Sequence, residues 1–323
     1  MRDGYGREID YMRISITDRC NLRCCYCMPE RIESVDMKEL LTYEEIVSVV
    51  REAAALGITH IKLTGGEPLV RRGVDVLVRM IKDIDEIEEV TLTTNGVLLE
   101  EQIEGLLRAG VGGINISLDT IDPDKYHRIT GFDRMDSVMK GIEAALGSGI
   151  PVKINAVSLD PDDVEGLIEL SKDRPIDVRF IEIMPIGMGK NYPGIPHDEL
   201  IAQVKGCYGE LKPDRSRHGN GPAIYYRIPG YIGSIGFISA IHGKFCDSCN
   251  RIRLTSQGFM KNCLCYGTGE DMRKILRSGL EGEVLRDELR AGIRRCILSK
   301  PEAHAFLQRE KISEDKSMSM IGG

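Results

Sequence analysis

The sequence predicts an α/β protein built on an incomplete (βα)6 barrel, open rather than closed, and three observations lead there. Short β-branched runs alternate with longer segments of helical period, the pattern of a parallel sheet with helices outside it. Six such units precede Gly187, where the alternation stops, and six are too few for a closed eight-stranded barrel. Polar, glycine-rich and reactive residues recur just after the strands, on the rim where parallel α/β sheets carry their function.

The expected strands are 11–16, 59–63, 89–93, 113–118, 152–157 and 177–183. Residues 42–56 place Ile46, Val49, Val50, Ala53 and Ala54 on one helical face, and Thr42 with Glu45 three residues on is a capping-box start. Segments 100–109 and 163–171 read the same way. Strand one runs into Thr17-Asp18-Arg19-Cys20, strand two into Thr64-Gly65-Gly66-Glu67-Pro68, strand three into Thr94-Asn95-Gly96, strand four into Ser117-Leu118-Asp119 and strand six into Met184-Pro185. Residues 191–221, rich in Gly, Pro and charge, read as a boundary with surface loops. The barrel domain is therefore expected over 1–220 and a smaller C-terminal region over 221–323. Strand-like stretches at 223–227 and 231–239 lead there to a second cysteine cluster, two charged helical patterns and a polar tail at 310–323.

Composition narrows the class. With 42 % hydrophobic residues the 323-residue chain can bury a core. No apolar run approaches the ~18–20 residues that span a bilayer, and the first residues lack the apolar stretch of a signal peptide, so a cytoplasmic location and no membrane partner are expected. A net charge of −7 argues against non-specific nucleic-acid binding. Ten cysteines in a reducing compartment point to ligands or catalysts rather than disulfides. They cluster at Cys20, Cys24, Cys25 and Cys27 and at Cys246, Cys249, Cys263 and Cys265. Cys207 and Cys296 stand alone and read as small buried hydrophobes.

Cys20-x3-Cys24-x2-Cys27 puts three soft thiolates on one loop, suited to Zn, Cu(I) or iron–sulfur centres. A [4Fe–4S] cube normally takes four, so three would leave one iron open; zinc sites usually bring their ligands in pairs. Cys25 reads as a bystander. The triad directly after the first strand, with Tyr26 before its last Cys and Gly65-Gly66-Glu67-Pro68 at the next strand end, resembles the radical S-adenosylmethionine superfamily. That resemblance implies a partial barrel of the radical S-adenosylmethionine type. The open iron would chelate S-adenosylmethionine, and the Gly-Gly-Glu backbone would hold the amino group of its methionine moiety. Reductive cleavage would give a 5′-deoxyadenosyl radical that takes hydrogen from substrate.

Cys246-x2-Cys249-x13-Cys263 is a second set of three, and by spacing alone a zinc site completed by His242 or Cys265 is an alternative. The strings Ile235-Gly-Phe-Ile-Ser, Phe245-Cys246-Asp-Ser-Cys249-Asn-Arg251-Ile-Arg253 and Asn262-Cys263-Leu264 resemble the GTP 3′,8-cyclase family of molybdenum cofactor biosynthesis. So do the opening from Arg13 to Cys27 and the ending Ser-Met-Ser-Met-Ile-Gly322-Gly323, so the similarity runs over nearly the whole chain.

The family resemblance implies two [4Fe–4S] clusters, on Cys20, Cys24 and Cys27 and on Cys246, Cys249 and Cys263, with S-adenosylmethionine and GTP between them. Tyr26, Gly66, Ser117 and Met184 would line the S-adenosylmethionine site. Arg13, Lys62, Thr93, Lys153, Arg179, Arg251 and Arg253 would hold GTP. Arg251 and Arg253, with Gly322 and Gly323 of a tail reaching into the site, would serve catalysis. Inward charge on barrel strands is costly unless it meets an anion; the alternative is pairing with acids such as Glu182. Lys62 stands where the family commonly has Arg, and Cys265 where an aromatic is usual, which makes it a rival to Cys263. The implied reaction converts GTP to (8S)-3′,8-cyclo-7,8-dihydroguanosine 5′-triphosphate, the first step of the pathway. Further implied partners are an electron donor, a cyclic pyranopterin monophosphate synthase downstream and a second copy of the chain as a homodimer. Competing readings are a radical S-adenosylmethionine peptide maturase and a zinc-stabilised binding protein.

Overall fold

The computed structural model describes residues 1–28 and 35–322. The six expected strands form, each within about two residues of its expected ends: β1 (Tyr11–Ser15), β2 (His60–Thr64), β3 (Glu89–Thr94), β4 (Gly113–Ser117), β5 (Val152–Val157) and β6 (Ile176–Ile181). All are parallel and neighbours in sequence order. Helices α1 (Tyr43–Ala54), α2 (Val74–Lys82), α3 (Leu99–Arg108), α4 (Pro123–Thr130), α5 (Met135–Gly147) and α6 (Val164–Glu169) connect them. The capping box of α1 is present in both directions, Thr42 accepting from the Glu45 N–H and Glu45 from the Thr42 N–H.

The strands alternate, but not as core against solvent. Met12, Ile14, Ile61, Leu63, Val90, Leu92, Ile114, Ile116, Ile154 and Val178 face the helices and are buried. The opposite face is polar: Arg13, Lys62, Thr91, Asn115, Lys153 and Arg179 point into the barrel. Side chains two apart share a face, so one strand period places a dry layer outside and a charged lumen inside.

After α7 (His197–Tyr208) come β7 (Lys212–Asp214), β8 (Ile224–Arg227), β9 (Ser234–Ile238), β10 (Arg251–Leu254), β11 (Phe259–Lys261), β12 (Gly269–Asp271), α8 (Met272–Leu276), α9 (Gly282–Leu298) and α10 (Met318–Ile321). Segment 191–221, expected to be loops, thus contains a twelve-residue helix, α7, anchored by buried Leu200 and Val204. The twelve strands make one open sheet in the order β12-β11-β10-β1-β2-β3-β4-β5-β6-β9-β8-β7. β10 lies parallel to β1, in the register Arg13↔Arg253, and β9 lies parallel to β6, Arg179↔Gly236. The late strands thereby flank both edges of the six-stranded unit. Among the described residues no helix is long and apolar enough to cross a membrane.

Candidate active site

A cavity of about 770 Å³ fills the barrel lumen and its rim. Its walls carry Cys20, Cys24 and Cys27 on one side and Cys246, Cys249 and Cys263 on the other, with Arg13, Lys62, Thr93, Lys153, Arg179, Arg251 and Arg253 also exposed to it. Tyr26, Gly66, Ser117 and Met184 line it as well. The strand and loop positions singled out in the sequence are therefore brought to a single space.

The first cysteine loop leans on the Gly65-Gly66 turn. The Gly66 N–H donates to the Thr17 carbonyl and the Glu67 N–H to the Arg19 carbonyl, both at 2.7 Å. A Cβ on Gly66 would come within 2.3 Å of the Arg19 oxygen, and one on Gly65 within 2.7 Å of the Thr17 oxygen. Glycine is required at both because backbone meets backbone there. Glu67 is buried and accepts from the Thr94 hydroxyl (2.6 Å), the Asn95 N–H (2.6 Å) and the Leu69 N–H (3.0 Å). Burial nevertheless raises its carboxyl to about 7. Tyr26 donates its hydroxyl to Asp119 at 2.7 Å, and Asp119 also accepts from the Val157 N–H. Burial lifts Asp119 to about 6 against those hydrogen bonds.

Burial pushes all three thiols of this loop upward, Cys27 to about 12, partly countered at Cys27 by the Ser319 N–H. Iron ligation, which needs thiolates, would supply the missing positive charge. Cys25 does not face the cavity; its N–H donates to the Ile129 carbonyl and its thiol meets Tyr192. Among the described residues no three His, Cys, Asp or Glu side chains converge as a single-ion site. The cysteines of each set lie close enough to feel one another's charge and face one cavity, a donor set of soft thiolates that fits a multi-iron cluster.

The second set differs electrostatically. Burial would raise Cys249, but Arg251 and Lys300 outweigh it and hold the thiol down to about 7. Cys263 lines the cavity, whereas Cys265 is fully buried in an apolar cluster with Ile186, Leu264, Phe306 and Ile321. His242, the other candidate fourth zinc ligand, is turned to Glu182.

Between the two sets the cations crowd one another. Burial, then Arg179, Arg13 and Lys153, push Lys62 well below its ordinary pKa. Burial and Arg179 lower Lys153 to about 8, despite Asp177 at 3.8 Å. Arg253 falls to about 9 through burial, Arg13 and Arg251. Arg179 donates twice to the Asn155 side-chain oxygen, and the Arg251 guanidinium lies 5.2 Å from the Phe245 ring centroid. Glu182 neutralises none of them: it accepts from the main chain at Ile241 and pairs with His242. Such a lumen calls for an anionic occupant.

The tail returns to the rim. Met318 and Ser319 line the cavity, and Gly322, in the left-handed region at φ 74°, lies buried against Ser15 and Thr64. Gly323 lies outside the described residues. Cys296 is buried, as expected of a lone cysteine, but Cys207 is exposed on α7 and donates to Glu165 at 2.9 Å. Sequence reading passed over Asn155, Asp177, Lys300 and His304, which also line the cavity. The period-two pattern could have found Asn155 and Asp177, each two residues from an inward cation; Lys300 and His304 follow α9 with no local signal.

A cysteine triad after β1, a glycine cradle after β2 and an open six-stranded parallel barrel define a radical S-adenosylmethionine protein. Residues 14–173 match the model of the Radical SAM superfamily and residues 176–306 that of Molybdenum Cofactor Synthesis C. Over its full length, and that of the relatives, the chain is 45 % identical to GTP 3′,8-cyclase of Clostridium perfringens strain 13 and 43 % to that of Pelotomaculum thermopropionicum. It belongs to the GTP 3′,8-cyclase family. In fold it is similar to Streptococcus suis SuiB bound to precursor peptide SuiA, at TM-score 0.60 and 15 % identity over 98 % of this chain and 75 % of that one.

Proposed function

We infer that the chain is a GTP 3′,8-cyclase, converting GTP to (8S)-3′,8-cyclo-7,8-dihydroguanosine 5′-triphosphate in the first step of molybdenum cofactor biosynthesis. One observation carries this reading: a single cavity bears two separate thiol sets with a belt of cations between them. A peptide substrate has no need of that belt, and a triphosphate, with about four negative charges, has.

Cys20, Cys24 and Cys27 would hold the first [4Fe–4S] cluster and Cys246, Cys249 and Cys263 the second. Three thiols in each set would leave one iron of a four-iron cube open to a small molecule. S-adenosylmethionine bound at the first supplies, on one-electron reduction, the hydrogen acceptor of the reaction. The protein supplies position. Tyr26, Gly66, Ser117 and Met184 would line the S-adenosylmethionine site, the Gly65-Gly66-Glu67 backbone meeting its methionine amino group and Asp119 fixing the Tyr26 hydroxyl. Arg13, Lys62, Lys153 and Arg179 on the barrel strands and Arg251 and Arg253 on the adjoining β10 would take the phosphates. Guanidinium forks suit phosphate oxygens. Thr93 would contact the nucleotide at the strand end. Arg251 and Arg253 lie beside the second cysteine set and would move the proton that completes ring closure, with Gly322 and Gly323 closing the site from the tail. Residues 1–220 would thus carry S-adenosylmethionine and 221–323 the second cluster. An external electron donor, a downstream cyclic pyranopterin monophosphate synthase, a homodimer and a cytoplasmic location complete the reading.

Anaerobic protein with dithionite, S-adenosylmethionine and GTP is expected to yield 5′-deoxyadenosine and the cyclised nucleotide in step. 5′-Deoxyadenosine formed without loss of GTP would overturn the substrate. About eight irons per chain are expected, falling to about four in Cys263→Ser and unchanged in Cys265→Ser; the reverse would exchange the two ligands.

A further inference from the structure

Lys300 follows α9 and is only 4 % exposed. Two of its three N–H donors go to main-chain carbonyls, that of Arg251 at 3.0 Å and that of Asn262 at 2.8 Å. These carbonyls belong to the two segments that carry Cys249 and Cys263. The ammonium therefore ties together the strands on which the second cysteine set is built. Asn262 is held from the same side, donating to the Ser299 carbonyl (3.0 Å) and hydroxyl (3.1 Å).

The charge on this clamp is unusual. Among the described residues no carboxylate lies within ion-pairing distance of Lys300. The neighbouring clamp is different: Arg7 donates to the carbonyls of Cys246 (2.9 Å), Pro301 (2.6 Å) and Glu302 (2.7 Å), and pairs with Asp3 at 2.6 Å. Arg7 brings its own counter-ion; Lys300 does not. A buried cation must meet an anion or be destabilising. The cavity wall that Lys300 shares with Cys246, Cys249 and Cys263 offers thiolates. The cations on β10, Arg251 and Arg253, face the same cavity but would be shared with the substrate phosphates. Lys300 is held instead by two backbone carbonyls.

We propose that Lys300 is the positioning residue of the second cysteine set and its permanent counter-charge, easing one-electron reduction of the cluster held there. The proposal rests on assigning Cys246, Cys249 and Cys263 as cluster ligands. A fixed positive charge favours the reduced, more negative state, so removing it makes reduction harder. Lys300→Met and Lys300→Arg, both in the full-length protein, separate charge from geometry. The readout is a potentiometric titration followed by electron paramagnetic resonance, with the second cluster identified as the signal that moves when GTP is added.

In Lys300→Met the reduced-to-oxidised ratio at fixed potential is expected to fall about tenfold, a midpoint ~59 mV lower, while Lys300→Arg stays near wild type. Equal midpoints in Lys300→Met and wild type, or equal shifts in both variants, would overturn the counter-charge. If Lys300→Met retains about four irons and Lys300→Arg about eight, the charge is needed to hold the thiolates and the proposal stands. About four irons in both variants would refer the effect to shape alone and overturn it. A wild-type protein with about four irons would instead remove the second cluster, and with it the reading on which the proposal rests.

Discussion

Gly66→Ala should selectively remove the first cluster. The added Cβ would lie 2.3 Å from the Arg19 carbonyl oxygen and 2.7 Å from that of Asp18. Real contacts of this kind are rarely under about 3.4 Å, so the loop must retreat by roughly 1 Å, and overpacking of this size costs about 1–3 kcal/mol. The retreat also stretches the Gly66–Thr17 and Glu67–Arg19 hydrogen bonds, worth about 1 kcal/mol each. The total is about 3–5 kcal/mol, concentrated next to Cys20. A ligand displaced by ~1 Å is well outside the ~0.2 Å latitude of a metal–ligand bond. Iron and sulfide analysis of anaerobic Gly66→Ala is expected to give about four irons in place of about eight, with S-adenosylmethionine binding lost and Tm lowered. The control is Gly147→Ala at the end of α5, where an added Cβ meets nothing within 4 Å. It should keep all its iron and be slightly more stable, since Gly in a helix costs up to about 1 kcal/mol against Ala. Full iron content and an unchanged Tm in Gly66→Ala would refute the steric reasoning.

Two further perturbations test the lumen and the tail. Lys153 titrates near 8 in the folded protein, below its free value, so the nucleotide-free protein gains stability as pH rises through 8 toward 10, where the unfolded chain still holds the proton. GTP needs the protonated form; its affinity should fall above pH 8, by at most about tenfold per unit for each such lysine, and binding should take up protons. Calorimetry at pH 8.5 in buffers of different ionisation enthalpy measures the uptake, and none in wild type would contradict the anion site. Lys261 and Glu314 form an ion pair with both side chains 2 % exposed, fastening the tail to β11. Glu314→Ala strands a buried ammonium and should cost about 3–5 kcal/mol, with faster proteolysis after residue 310, whereas Lys261→Met with Glu314→Met should recover most of the loss. Equal destabilisation in the single and double variants would show that packing, not charge, secures the tail.

Much of this was legible because it is local. The six strands follow from β-branched runs, the α1 start from Thr42 and Glu45, and the two thiol sets from spacing. The inward cations were named by the family resemblance, and for Lys62 and Lys153 their place inside otherwise apolar strand runs points the same way. What escaped the sequence depends on long-range contact. That the late strands flank both edges of the barrel is visible only in the Arg13↔Arg253 and Arg179↔Gly236 registers. Helix α7 was hidden among Pro, Gly and charge, its helical pattern too weakly apolar to stand out. Cys263 and Cys265 are two residues apart and chemically alike; only their surroundings, cavity for one and apolar cluster for the other, separate them. Lys300 has no local signature, because its role comes from two carbonyls about 40 and 50 residues upstream.

The pairing of β1 with β10 sets a timetable for synthesis. Tyr11 waits for Arg251 about 240 residues later; at 5–20 residues per second that is roughly 12–48 s. Until then the strand that leads into Cys20 has an open edge, a template for wrong pairing, and contacts this distant in sequence are slow to form. One edge of β1 can be covered as soon as β2 is made, but the other closes only when residues 251–254 exist. Cys20, Cys24 and Cys27 thus follow a strand whose second edge is covered only by residues 251–254.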